Sequence, residues 1–342
     1  MKTFKSLHLH DLINGRRKSA RLLAILCLGL ALALQVGRPA NAQNMVNCAA
    51  PVTSAPTGPA TVSAASRAYG KVLITGSPGY AGCSLYVLTS DELRALTSDA
   101  VPFACGDEPN VTGAPCDTIL WPALLTEGAP IAGRGVNPTL LGTVTRTDIL
   151  PGQSVQQVTY AGQPLYRIFA DETPGETEGE DLFDAVTSPV GVWYMVEPSR
   201  GRLAPGKATV TLETAPVGGT GPEQTVLAAS LNNNFSIFPN ASFPVYTLSA
   251  PGGGAAACGG VCAVAWPPLL TSMQPEAGPG IDQHDLGAIV RHDGTRQVTY
   301  KGQPLYLFYG DAYIAGVTGT QGINGQGKAT PWGVFNTVSP SP

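Results

Sequence analysis

The chain has 342 residues, of which only 13% are charged, against 41 glycines and 30 prolines. That mix excludes a bundle of long solvated helices and favours an all-β fold of short strands and many turns, at a length that suits two ordinary domains, each with its own core. Residues 1–42 carry seven of the 20 Lys and Arg and one of the 24 Asp and Glu, so the rest of the chain holds 13 cations against 23 acids and lacks the basic face that nucleic-acid binding needs.

Residues 1–42 read as an export signal. A basic start with Arg16, Arg17, Lys18 and Arg21 precedes an apolar run from Leu22 to Val36 and the small-residue site Ala40-Asn41-Ala42. The run is shorter than the roughly 20 residues a membrane span requires, so no transmembrane segment is expected after cleavage. Cys27 follows Ala24-Ile25-Leu26, which lacks the small residue that a lipoprotein signal places before its cysteine. The Arg16-Arg17 pair is a fragment of a twin-arginine signal, and ordinary secretion is the simpler reading. The expected location is extracytoplasmic, periplasmic or secreted.

Residues 43–70, rich in Ala, Ser, Thr and Pro, read as a flexible lead-in. Residues 71–200 read as a first repeat module. KVLIT at Lys71–Thr75 is strand-like and closed by Gly76-Ser77-Pro78-Gly79, a second strand runs from Ser84 to Leu88, and one short helix is expected over Asp91–Leu96. A loop from Cys105 to Cys116 leads to Trp121-Pro122, then LLGTVTR at Leu140–Arg146. Next comes a hairpin: QVTY to Tyr160, a turn at Ala161-Gly162, then PLYRIF. GVWYMVEP at Gly191–Pro198 closes the module.

Residues 201–234 read as a partly structured connector, with strand-like alternation over Lys207–Glu213. Residues 235–342 repeat the first module: FPVYTL, CAVAWPPLLT, LGAIVR at Leu286–Arg291, a second hairpin and GVFNTVSP. The hairpins QVTYAGQPLYRIFAD and QVTYKGQPLYLFYGD put Tyr160 and Tyr300 140 residues apart, and the Trp121 and Trp266 loops lie 145 apart. Copies this far apart imply duplication of a domain-sized unit: two tandem β-rich modules with short strands and long loops. A finer repeat sets Tyr86 five residues before Asp91, Tyr166 before Asp171 and Tyr306 before Asp311, whereas Tyr246 is followed by Pro251. A tyrosine at a strand start can bury its ring while an aspartate past the strand end caps the next turn.

These residues resemble a family of exported repeat proteins, often predicted lipoproteins, marked by a Tyr-x-(Phe/Trp/Tyr)-x-x-Asp motif. Tyr306, Phe308 and Asp311 fit it; Tyr166 and Asp171 fit with Ile168 in the aromatic slot, and Tyr86 and Asp91 with Leu88. Cys258 and Cys262 ahead of Trp266–Leu270 also look like that family, whereas the first module spreads its cysteines to Cys105 and Cys116. The resemblance implies an extracytoplasmic repeat protein whose activity is generally undefined.

Six cysteines follow the signal: Cys48, Cys83, Cys105, Cys116, Cys258 and Cys262. An even count in an exported chain reads as disulfides. Cys258 with Cys262 is the short-range pair, Cys105 with Cys116 the matching one, and Cys48 with Cys83 the remainder, with other connectivities open. The alternative is a soft-metal site of copper type, from Cys258, Cys262, His284, His292 and Met273, because thiolate, imidazole and thioether suit that ion. The first module has no histidine, so a function shared by both cannot rest on imidazole.

No G-x-S-x-G and no Cys–His signature is present, and Asp171, Glu172 and Asp311 read better as strand ends than as acid/base groups. Gly252–Gly254 and Gly316–Gly327 lack the strand–loop–helix setting of a phosphate loop. Tyr309 and Tyr313 offer a stacking surface for sugars. The expected function is therefore non-catalytic: a binding or structural protein of the cell envelope with an unidentified envelope or surface ligand and no cofactor, the copper or redox reading being the alternative.

Overall fold

The computed structural model describes residues 46–91, 103–106, 114–184, 191–230, 242–249, 258–311 and 322–340, all within one unit running from Val46 to Pro342. The export signal, the expected helix beyond Asp91, the glycine run 252–254 and Tyr313 lie outside these residues.

The described chain is built of short strands in several small sheets. β1 (Thr61–Arg67) and β2 (Gly70–Thr75) form a hairpin, joined in parallel by β5 (Ile131–Ala132). β3 (Tyr86–Leu88) pairs with β10 (Gly191–Met195), which also pairs with β9 (Leu182–Asp184). β4 (Leu125–Thr126) and β6 (Leu141–Arg146) flank β7 (Val155–Tyr160), which turns back into β8 (Gln163–Pro164).

The arrangement then recurs. β11 (Thr209–Pro216) and β12 (Glu223–Ser230) form a hairpin joined in parallel by β15 (Glu276–Ala277), with β13 (Ser242–Pro244) added beside β12. β14 (Tyr246–Ser249) pairs with β20 (Gly333–Thr337), which also pairs with β19 (Lys328–Thr330). β16 (Leu286–Val290), β17 (Arg296–Tyr300) and β18 (Gln303–Pro304) repeat the third sheet.

The all-β expectation holds, with local corrections. Thr61–Arg67, expected inside a flexible lead-in, is the strand β1: its Ser/Ala sequence has little strand signal of its own, and its ladder with β2 supplies what local propensity does not. Thr209–Ser230, expected as a connector, is the β11–β12 hairpin, the counterpart of β1–β2. PLYRIF pairs regularly only at its start, after which Tyr166 bridges to both Tyr86 and Ala123. Thr89–Asp91 is a 3-10 turn, and the α-helix among the described residues is α1 (Val261–Ala265), which the sequence did not reveal.

The hairpin turn follows its sequence. Ala161 and Gly162 have φ of 51° and 85°, and Lys301 and Gly302 have 47° and 77°. Two successive positive φ values make the primed turn whose twist matches the strands it joins.

The core falls into several clusters. One gathers Tyr86, Trp121, Tyr166 and Trp193, and another Tyr246, Trp266, Tyr306 and Phe335. A third joins Phe183, Val192 and Tyr194 to Val210, Leu227, Phe243 and Leu305, so the expected separate cores share a cluster drawn from both sides of residue 201. Phe183 meets Phe243 edge-on with centroids 4.7 Å apart. Each such large side chain contributes roughly 1.5–3 kcal/mol on burial, so the shared cluster couples the two copies.

Candidate functional site

The motif residues form two aromatic boxes. Trp121 stacks on Trp193 at 3.6 Å, with Tyr86 edge-on to the first ring at 5.7 Å and Tyr166 edge-on to the second at 5.2 Å. Trp266 stacks on Phe335 at 3.7 Å, with Tyr246 and Tyr306 edge-on at 5.4 and 5.6 Å. Gly179 and Gly325 lie against these boxes: a Cβ at Gly179 would sit 2.8 Å from Trp121, and one at Gly325 2.7 Å from Tyr246.

Buried tyrosine hydroxyls require partners, and the aspartates five residues on supply them, but crosswise. Tyr86 donates to Asp171 at 2.8 Å and Tyr166 to Asp91 at 3.0 Å. Each aspartate thus serves the tyrosine of the other half-repeat. In the second box Tyr246 donates to Asp311 at 2.5 Å, while Tyr306, whose crosswise partner would stand five residues after Tyr246 where the chain has Pro251, turns to Gln297 and Arg291. The second carboxylate oxygen accepts a loop N–H: Ala104 for Asp91, Glu178 for Asp171 and Asn324 for Asp311, at 2.8, 2.9 and 2.8 Å. The motif is therefore a latch between strand end, partner tyrosine and the following loop. Burial pushes Asp91 and Asp171 up to about 6 and Asp311 up to about 7, against the lowering effect of these hydrogen bonds.

A buried arginine supports each box. Arg146 donates to Gln157 at 2.6 Å, to the Cys105 carbonyl at 2.9 Å and to Asp117 at 3.0 Å, with Asp148 at 2.6 Å on its exposed side. Arg291 repeats the bonds to Gln297 at 2.7 Å and the Cys258 carbonyl at 3.0 Å. Asp117 has its place because Cys116 and Trp121 are one residue further apart than Cys262 and Trp266. The extra residue widens the turn: Trp121 N–H reaches back to the Cys116 carbonyl as a π-turn over Cys116–Leu120, whereas Trp266 N–H reaches Cys262 across α1.

The metal-ligand candidates are arranged differently from the metal expectation. Cys258 and Cys262 form a disulfide with an S–S distance of 2.01 Å, and bonded sulfurs are not thiolate ligands. His284 is exposed and contacts Asp282 at 3.0 Å, and Met273 is exposed. His292 lies beside Gly259 in the disulfide loop. Cys48–Cys83 and Cys105–Cys116 are the other disulfides among the described residues. Tyr309, half-exposed, packs edge-on against Phe308 at 4.8 Å.

Two clefts open beside this framework. One, of about 580 Å³, runs along Pro51–Ala60 past Tyr80 to Arg167. Arg167 is buried, donates to the carbonyls of Cys48 and Ala50 at 2.6 and 2.9 Å, and stacks over Tyr80 at 3.9 Å. The other, of about 470 Å³, is walled by Lys71 at the start of β2, the turn Glu197–Leu203, and Ser272 with Gly294–Arg296. No sequence motif marks it, because its charges are scattered from residue 71 to residue 296.

No helix among the described residues is long and apolar enough to cross a membrane. No curated protein and no solved structure matches the chain significantly. Residues 287–334, from β16 into β20, match the model of a family described as a secreted repeat of unknown function, a likeness that agrees with the three disulfides in placing the chain among extracytoplasmic proteins.

Proposed function

We propose that the chain is a non-catalytic exported protein in which two copies of one β-rich unit, starting at β1 and β11, form a rigid frame for binding at the cell envelope. The observation that carries this reading is the engagement of the motif: Asp91, Asp171 and Asp311 are buried, and each carboxylate bonds a tyrosine on one side and a loop N–H on the other. Groups so occupied hold structure and have no free face for a substrate. Periplasmic residence or release from the cell are both compatible with that frame.

The test replaces Asp171 and Asp311 by alanine, singly and together. The expected result is a lowered unfolding midpoint with no loss of any turnover in a panel of hydrolase and redox assays. A variant that melts like the parent protein yet loses a measured turnover contradicts the proposal.

A further inference from the structure

The cleft of about 470 Å³ has a charge opposite to that of the chain around it. After residue 42 the chain has 13 Lys and Arg against 23 Asp and Glu, yet Lys71, Arg200, Arg202 and Arg296 line this one cleft with Glu197 as the only lining acid.

That acid is already engaged. The turn Glu197–Arg202 closes through Glu197 N–H to the Arg202 carbonyl at 2.8 Å and Gly201 N–H to the Glu197 carbonyl at 3.0 Å. The Glu197 carboxylate accepts the N–H groups of Ser199 and Arg200 at 2.9 and 3.2 Å and the Ser199 hydroxyl. Burial works to raise it, but those bonds and the Arg200 charge outweigh burial and hold the carboxyl below its usual value. Other nearby acids are held elsewhere. Asp293, on the turn that carries Gly294, accepts the N–H and hydroxyl of Thr295, and Glu180 and Asp181, buried beyond Tyr69, accept the N–H groups of Met195 and Gly206.

The cations are left less engaged. Arg296 donates to the Ser272 carbonyl at 3.2 Å, and the side chains of Lys71 and Arg202 make no hydrogen bond or ion pair with any described residue. Arg202 lies across Gly294, where a Cβ would come within 2.3 Å of its guanidinium carbon, so a missing side chain makes room for the charge.

The geometry points to this cleft as a binding site for a short, multivalent oxyanion, meaning a ligand that presents neighbouring phosphate, sulfate or carboxylate groups. This rests on the proposed binding role and gives it a ligand class. Arginine forks match such oxyanions in pairs, and a concave cationic wall concentrates their field. The excess of acids elsewhere sets the length: beyond about 8 Å at physiological salt the cleft's own field is screened, so a long polyanion would meet acidic surface without added attraction.

The test is calorimetric titration of the exported chain, disulfides intact, at about 10 mM ionic strength, where screening is weakest. The probes are inorganic tripolyphosphate, a sulfated tetrasaccharide and trigalacturonate, with maltotriose as the neutral control. Saturable binding of at least one charged probe, weakened by added salt and absent for maltotriose, is expected; which probe binds tightest identifies the source of the oxyanion. Arg200→Glu with Arg202→Glu should weaken binding about tenfold or more, and Lys301→Glu, outside the cleft, should leave it unchanged. No binding to the folded chain, salt-independent binding, or equal binding by a folded double variant overturns the assignment. If the double variant does not fold, Lys71→Glu decides: a loss of about threefold or more supports the site and no change refutes it. Such a refutation would leave the non-catalytic reading intact, since that is tested at Asp171 and Asp311.

Discussion

Asp311 shows what one motif residue does. Its carboxyl takes the Tyr246 hydroxyl at 2.5 Å and Asn324 N–H at 2.8 Å, and burial lifts it to about 7. Alanine would leave two buried donors without an acceptor, so Asp311→Ala should cost about 1–3 kcal/mol in denaturant unfolding at pH 5, and less by pH 8, where the parent must bury a charge or hold a proton. Asparagine imitates the protonated carboxyl, keeping an acceptor for Asn324 while the Tyr246 hydroxyl accepts from the new amide. Asp311→Asn should therefore lie within about 1 kcal/mol of the parent at pH 5 and gain on it by pH 8, because only the parent must then bury a charge or hold a proton. A constant gap between the two across that range would show that Asp311 does not titrate. The tyrosine and aspartate of each motif were legible in the sequence as a local pair. Their cross-pairing was not, because Tyr86 and Asp171 are 85 residues apart and strand order alone brings them together.

At the scale of elements, the disulfides close very different loops. Cys48–Cys83, Cys105–Cys116 and Cys258–Cys262 span 35, 11 and 4 residues. The chain-entropy relation gives about 4, 3 and 2 kcal/mol for loops of those sizes. Paired serine substitutions should accordingly destabilise in that order in urea titrations, and a reversal would mean that the short loop stabilises by its packing against Trp266 and not by constraining the unfolded chain. Here the sequence was informative in part: matching the cysteines of the two Trp loops suggested Cys105–Cys116 and Cys258–Cys262 and left Cys48 with Cys83 as a remainder, with other connectivities open until the structure paired them. It was also informative at the turns, where Ala161-Gly162 and Lys301-Gly302 stand between alternating runs. It failed at β1, whose Ser/Ala residues resemble a linker until β2 lies beside them. The π-turn left a trace that could have been found: one residue more between Cys116 and Trp121 than between Cys262 and Trp266.

Across the whole molecule, duplication suggests two independent bodies, but burial argues for one. Phe183, Val192 and Tyr194 share a cluster with Val210, Leu227, Phe243 and Leu305, so neither copy can unfold without exposing apolar surface of the other. Calorimetry should show a single transition with equal calorimetric and van't Hoff enthalpies. Phe243→Ala, which removes the ring facing Phe183, should lower that midpoint without splitting it. The same transition should move with pH in a direction set by the buried acids. Burial holds Asp91 and Asp171 at about 6, and Asp311 and Glu213 at about 7, whereas in the unfolded chain such groups ionise near about 4. Between those values the native state binds more protons, so stability is greatest at the acid end of the window and declines as pH rises through 6 and 7. Glu197, held below its usual value, acts oppositely but only at lower pH. The midpoint should thus be higher at pH 5 than at pH 8, by a margin that shrinks in Asp311→Asn. Two resolved transitions would instead mean that the shared cluster does not couple the copies, and a midpoint that rises from pH 5 to pH 8 would mean that burial does not raise these carboxyls and that they are already ionised at pH 5 in the folded protein.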